Sequence, residues 1–168
     1  VFKPFEDLLN RPESKKFILV HLIGTHRAYR YRYPESFKIF NGNEDLPPWV
    51  RRIRHRREYN EFDNSIVYND FVVASLIEQM NESGQNGYLV YFADHGEEVY
   101  DYPHRLFAGR DEAAPTPAMY SVPFLVWRSE SWKRNNRIDV SYDMTHRIYS
   151  LSDFLHTWVD LAGIRFVG

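Results

Sequence analysis

Short apolar runs that end abruptly at polar side chains constrain the fold of this chain most strongly. Residues 17–22, 88–93 and 122–127 are each of strand length, and most of their consecutive positions are apolar. Such runs are typical of strands that are covered on both faces. A helical pattern separates the first two runs, and the order strand, helix, strand predicts a parallel pair with a right-handed crossover. We therefore predict an α/β fold with a mostly parallel sheet and helices on both faces.

The first main helix is predicted from an apolar stripe between two long irregular segments. Asp63 or Asn64 is its predicted N-cap, and the helix runs to about Asn81, beyond which Gly84 breaks it. Its stripe has the i, i+3, i+4, i+7 spacing and consists of Val73, Leu76, Ile77 and Met80. The preceding residues 27–60 lack sustained periodicity and are predicted to be mostly loop.

A second helix is predicted near the end of the chain. It covers residues 153–162, with Ser152 as its N-cap and Gly163 as its end. Its shared apolar face consists of Phe154, Leu155, Trp158 and Leu161. His156 lies on this helix and is predicted to be packed rather than to bind a ligand.

Length, charge and composition exclude several classes of protein. A chain of 168 residues with 43% apolar content can bury the core of one domain, so residues 1–168 are predicted to form a single domain. The net charge of −2 argues against a nucleic-acid partner, which needs a strongly basic face. The absence of cysteine excludes disulfides, thiolate metal sites and a cysteine nucleophile.

Histidines and a carboxylate follow two of the predicted strands. His21 and His26 lie at the end of the first run, Asp94 and His95 follow the second, and His104 is on the next loop. The carboxyl ends of parallel strands meet at one edge of a sheet, where open α/β folds bind ligands. Carboxylate oxygen with neutral imidazole suits Zn, Mn or Fe rather than Ca. Asp94 and His95 are therefore candidate metal ligands, and the open alternative is a turn cap with a local ion pair.

An ordered series of motifs covers most of the chain. It consists of HLIGTH at residues 21–26, RYRYP at 30–34, FDNSIVYND at 62–70, FADHGE at 92–97, His104, AP at 114–115 and VPFLVW at 122–127. This series resembles the phosphoethanolamine transferases that modify bacterial lipopolysaccharide, which are members of the alkaline phosphatase and sulfatase superfamily. The resemblance runs from about residue 17 to residue 164. It implies that residues 1–168 are the carboxyl-terminal part of a sulfatase-like catalytic domain.

The resemblance implies a reaction and a role for each histidine. In that family phosphatidylethanolamine donates phosphoethanolamine to an enzyme threonine, which passes it to lipid A or to the lipopolysaccharide core. Asp94 and His95 match two ligands of a site for one or two zinc ions, with manganese the less favoured metal. His26 and His104 match histidines that hold the transferred phosphate or a second zinc. His21 matches a further active-site histidine.

The resemblance also implies parts that lie upstream of the matching region. These are the threonine nucleophile, a glutamate zinc ligand and the membrane helices that tether the enzyme to the periplasmic face of the bacterial inner membrane. We therefore expect this chain to be inactive by itself. The lack of cysteine favours a relative acting on the lipopolysaccharide core, because many lipid A-modifying members carry disulfides. A sulfatase or phosphoglycerol transferase, and a metal-free fragment or binding module, remain as alternatives.

A basic run precedes the first predicted helix. Residues 51–57 include five arginines, and Arg51, Arg52 and Arg54 are candidate contacts for acceptor phosphates or anionic headgroups. The alternative is a solvated helix face that pairs with Glu58, Glu61 and Asp63.

Two segments beside the candidate ligands have open interpretations. Glu97 or Glu98 can accept a hydrogen bond from a ligand histidine, although solvated loop carboxylates are the favoured interpretation. Residues 29–33 alternate tyrosine and arginine. By resemblance they form a rim loop of the active site, and the alternation alone also fits an edge strand.

Overall fold

A helix of 30 residues, α2 (Ile53–Glu82), contributes side chains to both cores of the protein. The structure is a computed structural model that describes residues 1–42, 46–136 and 141–165. The remaining helices are α1 (Phe2–Leu9), α3 (Pro117–Tyr120), α4 (Glu130–Asn136), α5 (Tyr142–His146) and α6 (Phe154–Leu161). The strands are β1 (Tyr88–Phe92), β2 (Glu98–Val99), β3 (Ala108–Gly109) and β4 (Phe124–Arg128). Single 3₁₀ turns cover Tyr29–Tyr31, Glu35–Phe37 and Leu151–Asp153. Within the described residues, no helix is both long and apolar enough to span a bilayer.

The first core joins α1 to the carboxyl-terminal half of α2. Its buried side chains are Phe5, Leu9, Val72, Leu76 and Met80, and Leu89 and Trp127 pack against it from the strands. Helix α1 was not predicted from the sequence. The spacing of Phe2, Phe5 and Leu9 is the signal that identifies it, because these positions share one helix face.

A second core lies beside the amino-terminal half of α2 and underlies the candidate site. Its buried members are Tyr29, Val50, Val99, Tyr100 and Ala108, which come from two loops and from the short strands β2 and β3 with the residue after β2. These segments have little regular structure beyond the β2–β3 pair, and Tyr59 and Phe62 of α2 pack against them.

Asn64 anchors part of the long loop that precedes α2. Its side chain is 1% exposed. Its Oδ1 accepts hydrogen bonds from the backbone N–H groups of Ile39 and Phe40, both at 2.8 Å, and its Nδ2 donates to the Phe40 carbonyl at 2.9 Å. Asp63 or Asn64 was predicted to cap the helix, and that prediction is wrong because α2 begins at Ile53, eleven positions before Asn64. Glycine and proline are absent from this interval, so nothing in it interrupts the helix.

The strand pairing differs from the predicted parallel sheet. Strands β1 and β4 pair antiparallel, with Leu89 opposite Trp127 and Phe92 opposite Phe124, and β2 and β3 form a second antiparallel pair. Every residue of β1 is partly exposed. The consecutive apolar positions of β1 therefore show only that both faces of the strand are partly covered. Such cover is compatible with an antiparallel neighbouring strand as well as with a parallel one.

The predicted first strand is not paired in a sheet within the described residues. Ile18, Val20 and Leu22 pack against the first core, whereas Phe17 and Leu19 are 73% and 81% exposed. The alternation is that of an extended segment with one covered face. The predicted βαβ unit is consequently absent from the part of the chain that the structure describes.

The sequence predicted the carboxyl-terminal ends of two helices correctly and the cap of the last helix wrongly. Gly84 and Gly163 follow α2 and α6 with φ values of +63° and +65°, as predicted for helix stops. Ser150, rather than Ser152, supplies the hydroxyl acceptor before the last 3₁₀ turn and α6. His156 is exposed, so its predicted packing is wrong.

The predicted apolar face of α6 is wrong in part. Leu155 is 63% exposed, whereas Val159 is buried. Phe154 contacts the ring of Phe92 at a centroid distance of 4.6 Å, and Trp158 contacts Phe17 at 5.5 Å. The helix is therefore held by aromatic contacts along a face rotated away from Leu155.

Candidate active site

The Asp94–His95 pair lies two residues beyond the last residue of β1, as the sequence predicted. Asp94 is exposed and His95 is partly buried. Asp94 Oδ1 accepts a hydrogen bond from the His95 backbone N–H at 3.1 Å. His95 Nδ1 lies 2.9 Å from the Gly96 carbonyl oxygen. Because a carbonyl only accepts, Nδ1 must carry the proton, and Nε2 keeps the lone pair that a metal requires.

Gly96 holds this turn against α3. Its backbone N–H donates to the Met119 carbonyl at 3.0 Å. A Cβ atom at this position would lie 2.1 Å from the Ala118 carbonyl oxygen and 2.9 Å from that of Ser121. Both obstacles are backbone atoms, so only glycine fits without displacing the turn or the helix.

Of the two glutamates that follow, Glu98 is buried, which contradicts the favoured interpretation of the sequence, and Glu97 is partly buried. Glu97 accepts a short hydrogen bond from the hydroxyl of Tyr29. Glu98 is 0% exposed and accepts from Thr116 Oγ1 at 2.8 Å. Arg105 Nε lies 3.3 Å from Glu98 Oε2, an ion pair without the alignment of a hydrogen bond. These partners were missed because they lie on other segments.

Tyr29 is fixed as a hydrogen-bond donor. It is 1% exposed, and its ring meets that of Phe62 edge-on at a centroid distance of 5.1 Å. Burial raises the pKa of Tyr29 far above its ordinary value, and the hydrogen bond to Glu97 raises it further. The edge strand allowed for residues 29–33 is not formed, because Tyr29–Tyr31 is a 3₁₀ turn.

A short hairpin carries His104. Strands β2 and β3 form it, with Glu98 opposite Gly109, and the Tyr100 N–H donates to the Phe107 carbonyl at 2.8 Å. His104 lies near its tip and is exposed.

His26 follows a tight turn that rests on α2. Gly24 has φ +50°, and a Cβ there would lie 3.0 Å from Asn69 Oδ1. Asn69 Nδ2 in turn donates to Tyr91 Oη on β1 at 2.7 Å. His26 Nδ1 lies 2.6 Å from the Arg27 carbonyl and therefore donates to it, which leaves Nε2 for a ligand. His21 and His26 are both exposed.

The predicted ligands do not by themselves form a complete metal site. Within residues 1–42, 46–136 and 141–165, no three histidine, aspartate or glutamate side chains converge in a geometry that could hold a metal ion. Asp94 and His95 thus fit zinc in donor chemistry but supply fewer than the three protein ligands of a catalytic zinc site.

The basic run lies around the amino terminus of α2. Arg51, Arg52 and Arg54 are exposed and form no ion pair with a carboxylate among the described residues. Of the acids that the alternative interpretation named, Glu61 lies 3.5 Å from Arg57, whereas Glu58 pairs with a residue outside the run. Three arginines therefore have no acidic partner in the described structure.

Tyr100 connects this basic end of α2 to the loop that follows His95. The ring of Tyr100 stacks on His55 at 4.5 Å, and its hydroxyl donates to Glu58 Oε2 at 2.5 Å. Its carbonyl accepts from Trp49 Nε1 at 2.7 Å, and Arg27 Nη2 contacts Glu58 Oε1 at 3.1 Å. These contacts place the start of α2 beside the hairpin that begins three residues after His95.

Comparison with known proteins decides the family. The family model described as Sulfatase matches residues 1–164. The chain belongs to the sulfatase family. It is 49% identical to phosphoethanolamine transferase EptC of Escherichia coli strain K12 over 168 residues, and 48% identical to phosphoethanolamine transferase CptA of Salmonella typhimurium. The resemblance to phosphoethanolamine transferases is thus confirmed.

Solved structures show the same fold. The crystal structure of the C-terminal periplasmic domain of EptC from Escherichia coli matches 96% of this chain with a TM-score of 0.91 and 51% sequence identity. The same domain has also been solved in a complex with Zn, with the same TM-score. The chain spans 45% of those structures, and 29% of the length of the EptC and CptA relatives.

Proposed function

We propose that this chain belongs to an enzyme that transfers phosphoethanolamine from phosphatidylethanolamine to lipopolysaccharide. The observation that carries the proposal is a match over the whole chain, at 49% and 48% identity, to relatives named phosphoethanolamine transferases. Residues 1–168 are then the carboxyl-terminal part of the catalytic domain. By analogy with the periplasmic domain of EptC, that domain acts on the periplasmic side of the inner membrane.

Zinc is the proposed metal, with Asp94 and His95 as two of its ligands and further ligands outside the described residues. The support is the tautomer of His95, whose Nδ1 is occupied by the Gly96 carbonyl, and the zinc complex of the related domain. When bound, zinc polarises phosphoryl oxygens and favours the ionised form of an adjacent hydroxyl nucleophile.

His26 and His104 are proposed to bind the transferred phosphate. His26 Nε2 is free to accept a hydrogen bond, and it becomes a donor to a phosphate oxygen only when the imidazole is protonated, because Nδ1 already donates to the Arg27 carbonyl. His104 is accessible to a ligand near the hairpin tip, and His21 is a further candidate on the segment before His26.

Arg51, Arg52 and Arg54 are proposed to contact acceptor phosphates. Their guanidinium groups are exposed, and no carboxylate of the described residues competes for them. Tyr100 holds the start of α2 beside the hairpin, so an acceptor bound to these arginines lies near the candidate site. Arginine suits this role because its planar fork donates two parallel hydrogen bonds to phosphate.

The proposal is tested with the full natural protein, labelled phosphatidylethanolamine and purified lipopolysaccharide. We expect the label to pass to lipopolysaccharide and the His95→Ala variant to transfer none. Phosphatidylglycerol and an aryl sulfate are offered in parallel reactions. Transfer of phosphoglycerol, or release of sulfate, in place of phosphoethanolamine transfer would assign the protein to another branch of the superfamily.

A further inference from the structure

We propose that Glu97 and Glu98 are positioning residues that fix the positions of His95, His26 and His104 relative to one another. The three histidines lie on separate segments, and each glutamate ties the segment of His95 to one of the other two. This inference rests on the proposed function for its catalytic consequence, whereas the contacts themselves are independent of it.

Glu97 forms the connection to His26. Its carboxylate accepts the hydroxyl of Tyr29, which lies three residues after His26. The intervening turn is tightly held, because Arg32 Nε donates to the His26 carbonyl at 2.7 Å and the Arg32 N–H donates to the Tyr29 carbonyl at 2.8 Å. Movement of Glu97 would therefore be passed to His26 through a rigid turn.

Glu98 forms the connection to His104. Its buried carboxylate contacts Arg105, the residue next to His104, and accepts the hydroxyl of Thr116. Arg105 is held from its other side by Asp111, with Nη2 3.2 Å from Oδ2. The second oxygen of Glu98 is buried with no hydrogen-bond partner in the described residues, so the carboxylate depends on these contacts.

Glu97 and Glu98 contact different segments because of the backbone conformation at these two positions. Side chains at consecutive positions of an extended segment point to opposite sides. Glu97 directly precedes β2 and Glu98 begins it, so one carboxylate faces the Tyr29 turn and the other faces Arg105. Two adjacent carboxylates can thus orient two segments without either touching the substrate.

Amide hydrogen exchange, measured peptide by peptide in the full natural protein, tests the Glu97 connection and the Glu98 connection separately. We expect Tyr29→Phe to speed exchange in peptides covering residues 26–32 and to leave residues 102–107 unchanged. Glu98→Gln should show the reverse pattern, because it neutralises one of the two carboxylates that contact Arg105 and leaves the Tyr29–Glu97 hydrogen bond in place. Tyr149→Phe is the matched control, since it deletes a hydroxyl that contacts Thr157 Oγ1 at 2.7 Å on a segment outside the site.

Transfer kinetics measure the catalytic consequence. Glu97→Ala should lower kcat about 10-fold or more and raise the donor KM by a smaller factor, because His95 and His26 are displaced rather than removed. Glu97→Gln should restore most of the rate, since its amide oxygen can still accept the Tyr29 hydroxyl. Glu130→Gln, on the surface of α4, should behave as wild type.

Uniform exchange changes in Tyr29→Phe and Glu98→Gln, or Glu97→Ala with wild-type kcat, would overturn the positioning role. A wild-type protein that transfers nothing would overturn the proposed function, and the exchange patterns would then still decide whether the glutamates connect the histidine segments.

Discussion

The turn after His95 should not tolerate a side chain at Gly96. In Gly96→Ala the new Cβ would lie 2.1 Å from the Ala118 carbonyl oxygen. Reaching ~3.3 Å, the short end of ordinary C···O contacts, requires a movement of about 1.2 Å. That movement breaks the hydrogen bond from the Gly96 N–H to the Met119 carbonyl, which is 3.0 Å long.

The expected loss of stability combines both effects. Overpacking costs about 1–3 kcal/mol, and the broken hydrogen bond adds about 1 kcal/mol. We therefore expect unfolding free energy to fall by about 3 kcal/mol and Tm to fall with it. Zinc affinity should fall about 10-fold or more, because His95 orients its ring through the carbonyl of Gly96.

Thermal unfolding and zinc titration of the full natural protein check this prediction. Gly87→Ala is the matched control at the other end of β1, where the added Cβ meets only the flexible end of Met80 at 3.2 Å. We expect its unfolding free energy to stay within about 1 kcal/mol of wild type. A Gly96→Ala protein with unchanged Tm and zinc affinity would refute the argument that α3 clamps the turn.

Three further predictions concern the parts around this turn. Burial and Glu97 raise the pKa of Tyr29 above its ordinary value of 10.0, so above pH 10 the unfolded state loses a proton that the folded state keeps. Tyr29 should then contribute a fall in stability of about 1.4 kcal/mol per pH unit, and Tyr29→Phe should make the slope shallower by that amount in urea unfolding, while Tyr100, whose pKa is also raised, keeps its own share. Asn64→Ala removes the side-chain amide that hydrogen-bonds to the backbone of residues 39–40. It should lower the free energy of unfolding by about 2–3 kcal/mol in the same assay. Reversing the charges of Arg51, Arg52 and Arg54 should raise the acceptor KM about 10-fold or more and leave the donor KM unchanged.

Each of these three predictions has a contradicting result. An identical alkaline slope in wild type and Tyr29→Phe would show that this hydroxyl is not protected by burial. Wild-type stability in Asn64→Ala would show that the loop needs no anchor. An unchanged acceptor KM after reversal of the arginines, or an equal rise after reversal of surface Lys3 and Lys133, would count against an acceptor site.

Local patterns predicted the elements of the site better than their pairing. The strand before Asp94 and the glycine stop after α2 were found from the sequence, because each depends on a few neighbouring residues. The antiparallel pairing of β1 and β4 was not found. Consecutive apolar positions record cover on both faces, and they carry no information about strand direction.

The start of α2 and the roles of the glutamates were missed for related reasons. Arg52 precedes Ile53 without a side-chain cap, so the helix start lacks the signal that sequence analysis uses. Glu97 meets a tyrosine 68 positions away along the chain, and Glu98 meets Thr116 at a separation of 18. Carboxylates beside a glycine resemble solvated loop residues until the fold brings such partners to them.

The most direct test of the central claim is the composition of lipopolysaccharide from bacteria that lack their own phosphoethanolamine transferases. The cells would express the full natural protein or its His95→Ala variant, and mass spectrometry would measure phosphoethanolamine on the lipopolysaccharide. We expect the added group with the wild-type protein and its absence with His95→Ala. Unmodified lipopolysaccharide with both, or modified lipopolysaccharide with both, would contradict it.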